Sequence, residues 1–307
     1  MTPLPSLQQL RFLVALAEQR HFGRAAEACA VTQSTLSAGL QELETRLGVT
    51  LVERSRRKVM LTPLGEDLVA RARQVLSDAE ALVEAARGGR EPLSGPFRLG
   101  VIPTIGPYLL PAIMHDIAKE FPKLQLYLRE EQTASLLEKL AAGQLDLALL
   151  ALPYDVGEME VMELGADPIL VALSPGHRLA RQRRIAHDAL AQEDLLLMED
   201  GHCLRSHALE ACRLTGPTRN EVFQGTSLRT VVQMAAGGLG VTLVPQMALQ
   251  SELPADGSLV ARPLAGDAPP RRIALAWRRS STRKAEFRRF GAYVKSRLAS
   301  VERPPKV

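Results

Sequence analysis

The residues with the clearest capacity for chemistry lie near position 203. The segment MEDGHCLR places Cys203 directly after His202 and two residues before Arg205. Cys212 follows nine residues later, and Cys29 is the only other cysteine. A cysteine reacts as its thiolate, which a helix N-terminus, an imidazole and a guanidinium all favour. We therefore expect the pKa of Cys203 to lie below its usual value.

A thiolate that attacks a peroxide O–O bond becomes a sulfenic acid, with which a second thiol can condense to form a disulfide. If residues 204–212 continue as a helix, the two cysteines lie about 14 Å apart along its axis. A disulfide needs Cα atoms within roughly 7 Å, so oxidation would have to unwind or move this segment. Two other interpretations of these cysteines stay open. Cysteines in a helix are commonly small buried hydrophobic residues, and Cys203, His207 and Cys212, with His202, could bind a metal, although their spacing is irregular.

Size, charge and cysteine content narrow the class of protein. The 307 residues suit two or three compact units. Three cysteines are too few for a secreted disulfide framework, and no cleavable signal or long apolar stretch occurs, so we expect a cytoplasmic protein that does not enter a membrane. The net charge is +4, but residues 271–307 hold 12 Lys and Arg against 2 Asp and Glu. This basic segment fits a nucleic-acid surface or a solvated helix face.

Residues 1–62 predict a winged helix-turn-helix. Ser6 and Gln9 form a capping-box pattern before the first helix, Thr32 is a candidate N-cap for the third, and Gly48 is placed to end it. The third helix shows short polar groups at its start, as a recognition helix must. A basic β-prone segment follows and predicts a wing. The residues expected to contact DNA are Thr32, Gln33, Ser34, Thr35, Ser37, Arg54, Arg56, Arg57 and Lys58.

Residues 63–90 predict one long helix that begins with Thr62 as N-cap and Pro63 in the first turn. Its apolar residues recur at alternating spacings of four and three, which predicts a seam for a partner helix. We expect this seam to form a dimer, and packing within its own domain is the alternative. The residues assigned to dimerisation are Leu68, Val75, Ala79 and Leu82.

Residues 91–307 alternate predicted strands and helices, which favours two α/β lobes built on parallel sheets. Lobe I spans about 96–165 plus 271–300, and lobe II about 166–270. Ligand sites in such folds lie at the carboxyl ends of strands, so we expect a ligand or sensing cleft between the lobes. The fold class is therefore α+β and multidomain: an α-rich DNA-binding domain, a linker helix and two α/β subdomains.

The stretch FGRAAEACAVTQSTLSAGLQELETRLGVTLVERSRRKVMLTPLGEDL resembles the N-terminal domain of LysR-type transcriptional regulators, and the resemblance continues to about residue 300. It implies a winged helix-turn-helix, a dimerising linker helix and two subdomains like those of periplasmic binding proteins. It also implies double-stranded promoter DNA, RNA polymerase and further copies of the chain, as a homodimer or homotetramer, as partners.

Four further segments resemble the peroxide-sensing members of that family: MEDGHCLR, VIPTIGPYLLP, FPKLQLYLREEQT and TSLRTVVQMAAGGLGVTLVP. They imply a redox-responsive activator of oxidative-stress genes that uses a Cys203–Cys212 disulfide, needs no cofactor or metal and is reset by a thiol reductant. The residues implied to hold hydrogen peroxide are Thr104, Thr133, His202 and Arg271, the last preferred over Arg272. This chain has Ser206 and His207 after Cys-Leu-Arg, where the family often has Asp first.

Three other functions compete with this interpretation. A LysR-type regulator could bind a small organic effector in the cleft, with both cysteines incidental. A thiol peroxidase would turn over, but a catalyst needs no DNA reader, so we expect no enzyme. A solute-binding protein would fit the two lobes but would require export.

Overall fold

The computed structural model describes residues 4–54, 59–86, 92–212, 221–254 and 256–301. They divide into an N-terminal and a C-terminal unit, and each unit has a hydrophobic core of its own. Domain boundaries at residues 62 and 90 remain a prediction, because the second falls outside the described residues.

The N-terminal unit holds a helix-turn-helix, a strand pair and a long helix. In order these are α1 (Leu7–Gln19), α2 (Phe22–Ala28), α3 (Gln33–Leu47), β1 (Val52–Arg54), β2 (Val59–Leu61) and α4 (Pro63–Ala86). The predicted caps are all present. The hydroxyls of Ser6, Thr32 and Thr62 accept backbone N–H groups at the starts of α1, α3 and α4. Gly48 ends α3 with a φ of 68°, in the left-handed region that favours glycine.

The C-terminal unit contains two five-stranded sheets. Its first stretch comprises β3 (Gly95–Val101), α5 (Gly106–Glu120), β4 (Leu124–Glu130), α6 (Thr133–Ala141), β5 (Leu147–Leu152) and β6 (Met159–Asp167). Its second comprises β7 (Ile169–Leu173), α7 (His187–Leu190), β8 (Leu195–Met198), α8 (Cys203–Ala211), β9 (Glu221–Gly225), α9 (Leu228–Ala236), β10 (Val241–Pro245), α10 (Leu249–Glu252) and β11 (Val260–Pro263). The last elements of the described part are β12 (Arg271–Arg278) and α11 (Lys284–Val301).

The prediction of parallel sheets was wrong, because both sheets are mixed. The first has the order β4-β3-β5-β12-β6, in which β12 runs antiparallel to β5 and β6. The second has the order β11-β7-β10-β8-β9, in which β7 runs antiparallel to β10 and β11. The chain leaves the first lobe along β6 and returns along β12. Only β12 opposes the parallel set β3, β4 and β5, because β6 runs antiparallel to β12.

Three of the described strands were not predicted from the sequence, and each is an edge strand. β6, β9 and β11 stand at the borders of their sheets, whereas the buried runs in β5, β8 and β10 were predicted. An edge strand has only one paired side and is commonly polar, which removes the continuous apolar run that marks a central strand.

Candidate functional site

Cys203 is the first residue of α8, directly after the loop that follows β8. Gly201 in this loop has a φ of 95°, which an L side chain rarely adopts, and a Cβ there would lie 2.6 Å from Oε1 of Gln132. His202 occupies the N-cap position without capping the helix through its side chain. The loop therefore brings the start of α8 close to the chain just before α6, at the opposite lobe.

Arg271 lies on that opposite side, at the start of β12, and is 1% exposed. Its Nε and Nη2 are 2.9 and 2.8 Å from Oδ2 of Asp167, which is fully buried and stands opposite it in the β12–β6 ladder. Nη1 and Nη2 donate at 2.9 Å to the hydroxyl and carbonyl oxygens of Thr104. By contrast, Arg272 points outward to an exposed Glu163 at 2.5 Å. The structure therefore places Arg271 inside the site.

The Cys203 thiol is enclosed by these groups. It is 5% exposed, and burial raises its pKa above the usual value. The Thr133 hydroxyl, the Arg271 guanidinium and the backbone amides at the start of α8 act in the opposite direction. The Thr133 oxygen is itself buried and makes no hydrogen bond of regular geometry. The predicted fall in the pKa of Cys203 was therefore wrong, because desolvation outweighs the helix N-terminus and the cation.

Cys212 caps the other end of the same helix. Residues 203–211 form one unbroken helix, and Cys212 is its C-cap residue. Both thiols are free and buried, and burial raises the pKa of Cys212 to about 12. At 1.5 Å per residue the cysteines stand about 14 Å apart along the axis, twice the Cα separation that a disulfide allows.

Two histidines of this region lie in different surroundings. Nε2 of His202, which is 8% exposed, lies 3.7 Å from Oε1 of Glu199. His207 is 3% exposed, and its Nε2 is 2.8 Å from the carbonyl oxygen of Pro153, in the loop after β5. Desolvation lowers the pKa of His207, so its ring is neutral near pH 7.

Sequence reasoning missed the carboxylate that holds this site together. Asp167 neutralises Arg271 with one oxygen and accepts the Met247 amide with the other, at 3.0 Å. It thereby ties the end of β6 to the second lobe. Tyr108 makes a further link, because its hydroxyl donates to buried Glu252 at 3.0 Å and its pKa is raised by burial. A buried arginine implies a carboxylate partner, but no local pattern indicates which one.

Two family models together cover nearly the whole chain. The LysR substrate binding domain matches residues 90–299, and the helix-turn-helix of bacterial regulatory proteins of the lysR family matches residues 7–66. The chain belongs to the LysR family. It therefore carries the DNA-binding helix-turn-helix of a transcriptional regulator, and its two α/β subdomains form the family's regulatory domain.

Individual relatives of this LysR-type chain carry two kinds of name. It is 44% identical over 295 residues to a probable hydrogen peroxide-inducible genes activator of Streptomyces viridosporus, with 96% of this chain and 95% of that protein covered. It is 41% identical over 288 residues to the HTH-type transcriptional regulator EstR of Acinetobacter baylyi, with 94% and 95% covered. A solved full-length OxyR variant from Pseudomonas aeruginosa is similar at a TM-score of 0.82 and 38% identity, with 98% of this chain and 100% of that chain covered.

The helix-turn-helix of the LysR-type chain exposes the polar start of α3. Thr32, Gln33, Ser34 and Thr35 are exposed and Ser37 is half-buried, whereas Leu36 faces the core. Thr32 uses its hydroxyl to cap the helix. The backbone of Arg54 lies in β1, while Arg56, Arg57 and Lys58 lie outside the described residues.

The apolar seam of α4 divides into two halves. Ala72 is buried, and Leu68 packs against the core of the N-terminal unit. Val75 and Leu82 are 45% and 72% exposed, and Ala79 is half-buried. The first half of the predicted dimer seam therefore packs within its own unit, whereas the second half is available to a partner helix.

The part of the chain that the structure describes contains no group of three or more His, Cys, Asp or Glu side chains placed to bind a metal. Of the described helices, none combines the length and apolar character needed to cross a bilayer.

Proposed function

We propose that this LysR-type protein senses hydrogen peroxide through oxidation of Cys203 and reports it by forming a Cys203–Cys212 disulfide. The observation that carries the proposal is the burial of one thiol between Thr133 and Arg271, at one end of a helix whose other end holds the second thiol. The name of the Streptomyces relative supports the same stimulus.

The enclosed site favours a small polar oxidant. Thr104 and Thr133 contribute hydroxyl groups that can donate to or accept from a peroxide, and His202 contributes an imidazole at the N-cap. Arg271, held in place by Asp167, is a fixed positive charge near the position where a leaving hydroxide develops. The thiol is only 5% exposed, which favours a small reagent over a bulky one.

Two balanced steps follow. The Cys203 thiol loses its proton and its sulfur attacks one peroxide oxygen, the S–O bond forms as the O–O bond breaks, and the departing hydroxide takes up that proton and leaves as water. The Cys212 thiol then attacks the sulfenic sulfur, an S–S bond forms, and the hydroxyl leaves as a second water. Because the reduced helix holds the cysteines about 14 Å apart, the second step requires α8 to unwind.

Unwinding α8 would disturb the contacts that the helix makes with the first lobe. The hydrogen bond from His207 to Pro153 and the enclosure of Cys203 by Thr133 both join α8 to that lobe. Their loss would change the relative position of the lobes. Through α4, this change would alter the spacing of the DNA-binding domains in a homodimer or homotetramer. We infer that promoter DNA binding, recruitment of RNA polymerase and reset by a cellular thiol reductant complete the cycle.

The boundaries proposed for the units are 1–62, 63–90 and 91–307.

Mass spectrometry of free thiols before and after stoichiometric peroxide tests the proposal. The wild type should form a Cys203–Cys212 bond, Cys203→Ser should form none, and Cys29→Ser should behave like the wild type. The second candidate is a regulator controlled by a small organic effector, since the EstR relative is named as a transcriptional regulator without mention of peroxide. If peroxide leaves both thiols free while an organic effector shifts DNA binding, that candidate replaces the first.

A further inference from the structure

His207 lies one helical turn after Cys203 on α8, and residues four apart share one face of a helix. Its ring is 3% exposed. The Arg271 guanidinium acts on both side chains, since it lowers the pKa of the Cys203 thiol and also that of the His207 imidazole. The thiol, the imidazole and the guanidinium therefore belong to one buried cluster.

The hydrogen bond to Pro153 determines the tautomer of His207. A carbonyl oxygen only accepts, so Nε2, at 2.8 Å, must carry the hydrogen. Nδ1 then holds a free lone pair. It is buried and makes no hydrogen bond with any described atom. A buried acceptor without a partner is unfavourable in a resting structure, and on the face of α8 that also holds Cys203 it leaves a lone pair that can accept a proton.

The charges around His207 keep it neutral and able to accept a proton. Burial and Arg271 from β12 lower its pKa, whereas the Pro153 carbonyl and Glu210 of α8 raise it, with desolvation the largest influence. Burial also keeps Cys203 protonated near pH 7. A thiol that must lose its proton to react therefore stands one turn from an unprotonated, unpartnered nitrogen.

We propose that Nδ1 of His207 accepts the Cys203 proton during oxidation, an inference that rests on the proposed peroxide function. The Sγ–H bond breaks as its proton passes to Nδ1, and the sulfur attacks one peroxide oxygen. The S–O bond forms, the O–O bond breaks, and the departing hydroxide takes the proton from Nδ1 and leaves as water. Sulfur is oxidised to the sulfenic acid, peroxide is reduced to water, and His207 returns neutral.

The informative variant is His207→Gln. A glutamine amide can still donate to the Pro153 carbonyl, but it has no basic nitrogen. The matched control is His187→Gln, which removes another histidine whose ring nitrogens are buried without partners. Full-length wild type and both variants are mixed with hydrogen peroxide, and the loss of the Cys203 thiol is followed by quenched-flow mass spectrometry across a pH series.

Proton transfer from Cys203 to His207 and prior ionisation of the Cys203 thiol in solution give different pH profiles. In the wild type the rate constant should be flat at pH values above 6.5, the ordinary pKa of histidine, because the base is then unprotonated. In His207→Gln it should rise about tenfold per pH unit as thiolate forms, and near pH 7 it should lie about 10- to 100-fold below the wild type. His187→Gln should match the wild type.

Equal rates and profiles for wild type and His207→Gln would overturn the inference, as would an equal slowing in both histidine variants. Iodoacetamide separates this inference from the peroxide proposal, since alkylation of Cys203 needs the same loss of a proton but no O–O bond. If peroxide fails to oxidise the wild type, the peroxide proposal fails. The alkylation profile then still decides whether His207 accepts the proton: a flat wild type and a rising His207→Gln support it, and matching profiles refute it.

Discussion

Two helices of this protein begin with polar side chains, and solvent decides what those side chains can do. At the start of α3, Gln33, Ser34 and Thr35 are exposed. At the start of α8, Cys203 is 5% exposed. Both starts present backbone N–H groups and the positive end of a helix dipole. An exposed helix start can bind a macromolecule, whereas a buried helix start is accessible only to a small molecule.

At the start of α8, burial also outweighs the local charges that act on the Cys203 thiol. A helix N-terminus beside a cation should lower the pKa of a thiol, and at α8 both influences are present. Burial nevertheless raises the pKa of Cys203, because removing an anion from water costs more than these dipoles and charges return. The chemistry of the buried helix start therefore depends on fixed partners, and that of the exposed one does not.

The largest effect is expected from a substitution that removes such a partner. Asp167→Asn leaves the buried Arg271 without its counter-charge and should lower the free energy of unfolding of the C-terminal unit by about 3–5 kcal/mol. Trp277, the only tryptophan and 1% exposed, reports this unit, so urea unfolding followed by its fluorescence measures the loss.

Glu163→Gln is the matched control for this prediction. It breaks the neighbouring Arg272 pair, whose side chains are 47% and 52% exposed, and should cost about 0–1 kcal/mol. Equal losses in the two variants would show that burial does not distinguish the pairs.

A smaller effect is expected at the exposed helix start. Gln33→Ala removes a side chain that can pair with a base edge, and should weaken binding to DNA selected by the wild type by about 1–3 kcal/mol. Gln41→Ala, exposed on the same helix, is the control and should bind normally. Fluorescence anisotropy at fixed salt measures both, and unchanged affinity in Gln33→Ala would remove this residue from the interface.

Thr32→Ala should destabilise α3 by about 0.5–2 kcal/mol, because the Thr35 amide loses its capping partner at 3.2 Å. Hydrogen exchange of the amides in the first turn of α3 should accelerate accordingly. Exchange as slow as in the wild type would mean that the cap contributes nothing.

The smallest effect concerns pH at the far end of α8. The pKa of Cys212 is raised from 9.0 to about 12, so the native state retains a proton that the unfolded chain loses. The stability contributed by this neutral thiol is therefore lost as pH rises above 9.0. The stability difference between wild type and Cys212→Ala should shift by about 1 kcal/mol between pH 9 and 10, against the wild type. A difference that stays constant in Trp277-monitored urea unfolding would contradict this.

Sequence reasoning predicted the features that local patterns encode. The caps at Ser6, Thr32 and Thr62 follow from residue type and spacing, as does the continuous helix between the two cysteines. It missed what tertiary packing creates. The edge strands lack a long apolar run, and Asp167 pairs with Arg271, which is 104 residues away in the sequence. The sign of the shift in the pKa of Cys203 depends on a burial that no local segment reveals.

The geometry of α8 implies that Cys203 and Cys212 cannot bond while this helix is intact. Hydrogen–deuterium exchange of residues 204–211 tests it directly, in reduced and peroxide-treated protein, with Cys203→Ser treated in parallel. In the wild type alone, a Cys203–Cys212 bond should form together with a large acceleration of exchange across α8. A bond that forms while α8 keeps the protection of the reduced state would contradict it.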